Sequence, residues 1–246
     1  MKKKIISREK YFQIRQKNIN SLLKSKELFR KRLDLVKNSR RFRVVYNTVW
    51  NGEPCLQHPD DLINFQEIFY ASKPDYIIEI GVAWGGTSLF FMDLLKKFNS
   101  KGYIGVDIFI PKDLKNRLIR KKPKKLEFKL INDDSTSEKT LQTISKIIGN
   151  KKAMIIIDAH HTEESVLKEL NAFTKFLRKG QYLICCDTIL GYIGKNPSDV
   201  RPWGISNNPL TALKKFLKKN RSFKVDKYYS NKPLISSNFN GIITKK

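Results

Sequence analysis

The chain has 246 residues, 40% of them hydrophobic, with 49 Lys and Arg against 23 Asp and Glu and a formal net charge of +26. That length and apolar content suit one α/β domain with an appendage. No run of about 18 apolar residues exists, so no membrane-spanning helix is expected, and no apolar stretch follows the basic residues 1–10, so no signal peptide is expected. Three cysteines are present, with Cys185 and Cys186 adjacent. An odd count and neighbours that point to opposite faces of a strand argue against a disulfide, so a reducing, cytoplasmic setting is expected. The charge excess either marks an anionic partner (nucleic acid, an anionic lipid surface, an acidic glycan) or reflects a composition rich in Lys throughout.

Residues 1–43 hold sixteen Lys and Arg against three acids, about half of the whole excess. Within them Ile19, Leu22, Phe29, Leu33 and Val36 recur at helical spacing, which predicts one basic amphipathic helix. Such a helix sits on an anionic membrane surface, on its own domain or on a second subunit. Packing is favoured, because lysines break the apolar face and it lacks Trp. Residues 42–52 are short and aromatic. His58-Pro59-Asp60-Asp61 predicts a helix start, with Leu62, Phe65, Ile68 and Phe69 as its stripe.

From Tyr76 the pattern alternates strand and helix. Strands are expected at 76–80, 103–107, 126–131, 153–158 and 182–186, and helices at 87–98, 138–148 and 163–177; the basic stretch between 107 and 126 reads as a loop. Residues 189–208, with three glycines and two prolines among them, are longer than a structural connection needs and suggest a functional lid. A helix at 209–219 and strands at 223–228 and 241–244 complete the chain. They would form the antiparallel end of an otherwise parallel sheet.

The stretch Glu79-Ile-Gly81-Val-Ala-Trp-Gly85-Gly86-Thr87 joins a strand to a helix. Gly81 allows a sharp turn, and Gly85 and Gly86 allow backbone to approach a ligand at the helix N-terminus. Four strands end in an acid, Glu79, Asp107, Asp158 and Asp187, at the edge where doubly wound sheets bind ligands. Asp107, 26 positions after Gly81, suits the hydroxyls of a ribose. Asp134 and Ser135 either meet an adenine edge or cap the next helix. Asp158-Ala-His160-His161 puts two imidazoles directly after a strand-end acid, where proton transfer near neutrality is expected. Asp158 and Asp187 are placed to share a hard divalent cation.

Taken together these stretches resemble the cephalosporin hydroxylase family, which includes rhamnosyl O-methyltransferases and has a class I S-adenosylmethionine (SAM) methyltransferase fold. The matching residues are Trp50-x-Gly52, Phe65-Gln66-Glu67, Lys73-Pro74-Asp75, Ile78-Glu79-x-Gly81 with Gly85-Gly86, Gly105-x-Asp107-Ile108, Ile157-Asp158-x-x-His161, Leu167-x-Glu169-Leu170, and Tyr182-Leu183-Ile184 with Asp187-Thr188. The resemblance implies a seven-stranded sheet with one reversed strand. It divides the chain into a basic helical extension at 1–45 and a SAM-dependent methyltransferase domain at 46–246. It implies SAM over Glu79, Gly81, Gly85, Gly86 and Thr87, with Asp107 at the ribose and Asp134, Ser135 and His160 around the remainder.

The resemblance also implies a magnesium site on Asp158, Cys186 and Asp187, with His161 as general base. Cys186 and His160 stand where the family carries acids, and a thiol is a poor magnesium ligand. Three options therefore stay open: a two-carboxylate site, a softer ion held with His160 and Cys186, or no ion. The expected reaction is methylation of a hydroxyl, on a sugar of a glycan or glycolipid, with Trp50 and Trp203 forming the acceptor pocket. RNA as acceptor is the weaker reading, since no RNA-binding module is recognisable; a SAM-binding protein without catalysis is the third.

Overall fold

Ser25 decides the shape of the N-terminal region. Its backbone leaves the helical range, and its hydroxyl accepts a hydrogen bond from the Leu28 amide. The expected single helix is therefore two, α1 (Arg8–Lys24) and α2 (Lys26–Ser39). The computed structural model describes residues 5–195 and 200–246; Lys2–Lys4 of the basic start and 196–199 of the expected lid lie outside them. Two 3-10 turns, Arg40–Phe42 and Val44–Asn47, follow α2. Val49–Trp50 (β1) then pairs with Glu53–Pro54 (β2) as a hairpin. Its turn residues Asn51 and Gly52 both have positive φ, the conformation that an Asn-Gly pair favours.

The helix α3 (Pro59–Ser72) starts at its proline as expected. The sheet then begins with β3 (Tyr76–Ile80), followed by α4 (Gly86–Lys97), β4 (Gly102–Asp107), α5 (Lys112–Lys121), β5 (Glu127–Asn132), α6 (Glu138–Ile148), β6 (Ala153–Ile157), α7 (Glu163–Phe173) and β7 (Tyr182–Cys185). After it come α8 (Leu190–Ile193), α9 (Pro209–Lys219), β8 (Phe223–Val225), α10 (Lys227–Asn231) and β9 (Ile242–Lys245). The stretch expected to be a basic loop thus contains α5, which buries only Leu114 and Leu118, four residues apart. So narrow a stripe among lysines and arginines gives little periodic signal. The lid is partly regular too, through α8, and α7 ends four residues early in a 3-10 turn, Thr174–Phe176.

The seven-stranded sheet runs β5-β4-β3-β6-β7-β9-β8. Neighbours from β5 to β7 are parallel, and β9 is antiparallel to both β7 and β8, so β9 is the one reversed strand. This is the class I SAM methyltransferase architecture. The central strands β3, β4, β6 and β7 are largely buried on both sides, whereas the edge strand β5 is not, and alternate residues feed two cores. Ile78 and Ile155 meet α6, α7 and α9, whereas Ile77 and Met154 meet α3, α4 and α5. Strand order reverses between β3 and β6, where such sheets open a crevice at their carboxyl ends. In register, Ile80 lies beside Val106 on one side and Ile157 on the other, and Ile157 lies beside Cys185. The residues that follow these strands therefore share one edge.

The basic N-terminal helices pack against their own chain. Phe29, Leu33 and Val36 of α2 join Ile189 and Phe239 in a third apolar cluster. Arg15 of α1 pairs with Glu67 at 2.8 Å and donates to the Tyr228 hydroxyl at 2.6 Å. Arg32, buried over the Phe239 ring, donates to the carbonyls of Asn231, Pro233 and Leu234. Among the described residues no helix is long and apolar enough to cross a membrane.

Candidate active site

The glycine turn is shaped by the protein around it. A Cβ on Gly81 would overlap the Asp158 carbonyl, and one on Gly86 would overlap the Pro54 carbonyl. Next to Gly85 the same space is filled by Leu114 and Leu118 of α5. The glycines expected to admit a ligand thus first admit neighbouring backbone and side chains: β6 beneath, the hairpin above and α5 beside. Asp107 holds the turn from the side, its Oδ2 accepting from the amides of Val82 and Ala83 at 2.8 and 3.2 Å. Ala83 itself has positive φ (46°), and Trp84 at the crest is exposed.

Glu79 is not among the residues that line the cleft beside this turn. It is buried under the turn, where Ser88 donates to it at 2.5 Å and the Tyr103 hydroxyl donates to the same oxygen. Burial pushes its pKa up to about 7, the two hydroxyls opposing that rise. Its side chain points into the core side of the strand, so its place is that of a brace between β3, α4 and β4. Thr87, at the start of α4, lines the cleft and lies 3.4 Å from the Cys55 sulfur.

Asp158, His161 and Asp187 meet at the adjacent strand ends. One ligand atom from each lies within 4.8 Å of the others, and His161 Nε2 is 3.3 Å from Asp187 Oδ2. Burial, then the nearby charges of Asp187 and Glu79, hold the Asp158 carboxyl well above its ordinary range. Gln57 partly offsets this by donating to Asp158 Oδ2 at 2.7 Å. Burial holds His161 below the usual imidazole value, against the opposing pull of Asp187. The His161 ring stands edge-on to Trp203 at 5.0 Å. Asp187 has φ 54°, a conformation that aspartate tolerates better than most residues.

These groups line one cleft of about 830 Å³ together with Gly81–Thr87. Pro54, Leu56 and His58 form one wall; Ile189, Leu190 and Trp203 form another. An oxygen–oxygen–nitrogen donor set beside a buried, charge-crowded carboxylate fits a divalent cation. The cleft is also within the size range of small-molecule sites.

Residues 42–246 match the family described as rhamnosyl O-methyltransferase/CmcI. The chain belongs to that family. It is 26% identical over 149 residues to a rhamnosyl O-methyltransferase of Mycobacterium leprae, covering 59% of this chain and 63% of the relative. It is 25% identical over 143 residues to a rhamnosyl O-methyltransferase of Mycobacterium tuberculosis, covering 57% of each. The chain thus spans about 60% of the length of the curated relatives it matches. Among solved structures, one of CmcI described with Mg and SAM superposes with a TM-score of 0.56 at 21% identity, covering 82% of this chain and 77% of that one. That likeness concerns the fold.

Several members of the expected site stand elsewhere. Cys186 is buried among Ile77, Met154 and Ile184, and burial keeps its thiol protonated far above its ordinary pKa. It is outside the donor group, in which His161 is the third member. Cys185 faces one core and Cys186 the other, and the charges of Asp158 and Asp187 both act on the Cys186 thiol. Trp50 packs edge-on against Phe90 and donates to Asp93 at 2.9 Å, away from the cleft, because β1 lies across α4. His160 turns to the hydroxyls of Thr162 and Ser165, both at 3.0 Å, at the start of α7. Asp134 accepts from the Thr136 amide and hydroxyl, and Ser135 donates to the buried Glu169 at 2.8 Å. Trp203 does reach the cleft.

Gln57 and His58 are the residues that the sequence did not single out. Both are buried, His58 lines the cleft, and burial holds its imidazole below the ordinary value. The available signal was their place next to Pro59, since loops leading into a helix beside the carboxyl edge of a sheet carry site residues.

Proposed function

We propose that the chain is a SAM-dependent methyltransferase acting on a sugar-like hydroxyl, with His161 as general base. The observation that carries the proposal is the meeting of Asp158, His161 and Asp187 beside the glycine turn in one cleft. Family membership supports the reaction class, and the rhamnosyl substrate named for both mycobacterial relatives supports a sugar as acceptor. SAM would lie across the Gly81–Thr87 turn, next to Asp107. When bound, SAM supplies a methyl group on a sulfonium, and a divalent cation on Asp158 and Asp187 supplies charge that lowers the pKa of the acceptor hydroxyl.

The protein's own part is alignment and proton removal. In the balanced reaction the acceptor oxygen forms a bond to the methyl carbon, the carbon–sulfur bond breaks with its electron pair going to sulfur, and the hydroxyl proton leaves to the base. Burial favours the neutral imidazole of His161; because Nε2 faces Asp187, Nδ1 is the ring nitrogen that would accept that proton. Asp187, 3.3 Å away, stabilises the imidazolium formed. Gln57 fixes Asp158, and Trp203 packs edge-on against the imidazole.

His161 can act as base only where it is not itself a metal ligand, and one variant separates the two roles. Replacing it by Ala should lower kcat by roughly 10²–10⁴-fold, the usual worth of a positioned base. The affinities for SAM and Mg²⁺, measured calorimetrically, should stay within about twofold on the same argument. A loss of metal affinity in that variant would make His161 a ligand, and unchanged kcat would remove it from the chemistry.

A further inference from the structure

The lip of the cleft comes from two stretches far apart in sequence. The turns after α2 provide Arg40, Arg41 and Arg43, and the segment after α8 provides Lys195 and Arg201. Arg40 and Arg201 are engaged in building the lip. Arg40 donates to the Gly194 carbonyl at 2.6 Å, and Arg201 lies 5.0 Å over the Trp203 ring. Arg41, Arg43 and Lys195 are exposed at the opening, with Arg41 lying 4.6 Å over the Phe42 ring and Lys195 donating to the Arg201 carbonyl at 3.0 Å. Arg43 holds a left-handed backbone (φ 49°), which is costly for a residue other than glycine and is concentrated at functional positions. Among the described lining residues the carboxylates are Asp158 and Asp187, both at the floor and both engaged there. Arg41, Arg43 and Lys195 thus add positive charge at the mouth of the cleft.

A neutral sugar needs no such charge, because proton removal happens at the floor. Guanidinium groups match the geometry of phosphate and carboxylate oxygens, and a cleft with apolar walls focuses the field of charges at its mouth. We propose that Arg41, Arg43 and Lys195 form an oxyanion subsite, and that the methyl acceptor is a sugar carrying a phosphate or carboxylate. This rests on the reading of the cleft as a methyltransferase site. The oxyanion would sit at the lip and the reacting hydroxyl at His161.

The test is calorimetric titration of the intact protein, loaded with S-adenosylhomocysteine (SAH), with rhamnose 1-phosphate, galacturonate and methyl rhamnoside. At least one of the two anionic sugars should bind about tenfold or more tighter than the neutral glycoside, as expected for a charge-assisted pair. That preference should disappear in the double variant Arg41→Gln/Arg43→Gln. Preference for the phosphate or for the uronate identifies which oxyanion the lip reads. Equal binding of all three sugars, failure of both anionic sugars to bind, or a preference that survives in the variant overturns the proposal. Weaker SAH binding by the variant also overturns it, since the arginines would then serve the cofactor. Failure of the wild-type protein to bind SAH at all would instead defeat the methyltransferase reading.

Discussion

Asp158, Asp187 and Glu79 crowd three carboxyls into the space under and beside one turn. Burial with like charges nearby favours the protonated form of such groups unless donors or a cation offset it. The protein answers differently at each: Gln57 donates to Asp158, His161 stands beside Asp187, and two hydroxyls hold Glu79. The sign of the effect at Glu79 can be worked out. Its folded pKa of about 7 lies above its ordinary value of 4.5. Its contribution to stability is then full below about pH 4.5 and is lost as pH rises through 7. A Glu79→Gln variant stays neutral and keeps an acceptor for Ser88 and Tyr103. The melting temperature of this variant, relative to wild type, should rise between pH 5 and pH 8 by an amount corresponding to roughly 2 kcal/mol. A gap that does not change with pH would show that Glu79 ionises freely in the fold. The acids at the strand ends were legible in the sequence because a parallel sheet places its strand ends together. The use of each acid was not, since it depends on partners such as Tyr103 and Gln57 that the chain brings from elsewhere. Cys186 shows the same limit: next to Asp187 in sequence, it is buried in an apolar core and is not in the donor group.

The strands and most helices were readable from period and punctuation, since buried parallel strands are continuous apolar runs, α3 begins at a proline, and α6 and α9 begin at side-chain caps. Three elements were harder for identifiable reasons. The stripe of α5 is two leucines wide, the β1–β2 hairpin has only two residues per strand, and the break between α1 and α2 turns on one serine. The hairpin nevertheless matters to the site, because its Pro54 carbonyl lies over Gly86 at the start of α4. Gly86 is in the helix with ordinary φ, so Ala would be favoured there by propensity alone. The overlap with Pro54 should dominate. Gly86→Ala should destabilise the protein by about 1–3 kcal/mol, as overpacking does, and lower the melting temperature by roughly 2–4 °C per kcal/mol for a chain of this size. Gly204→Ala is the control: no neighbouring atom lies within 4 Å of the added carbon, and its melting temperature should match wild type. A Gly86→Ala protein as stable as wild type would mean that the hairpin can slide away from α4.

Across the whole molecule, the +26 charge is put to two uses that composition could not distinguish. Part of it is structural: Arg15 and Arg32 tie the N-terminal helices to α3, α10 and the segment before β9, so a basic amphipathic pattern became an intramolecular clasp. Part of it stands at the cleft mouth, where α2 ends and the segment after α8 begins. The same N-terminal helices that pack on the domain thus deliver Arg40–Arg43 to the site. The sheet supplies the floor, and these additions supply the lip. The account depends most on the cleft being a SAM site, and titration calorimetry of the intact protein with SAM, in Mg²⁺ and again in EDTA, tests that directly. A single saturable site per chain in Mg²⁺ is the predicted result, with the cation affecting acceptor methylation more than SAM affinity. No heat of binding under either condition would contradict it.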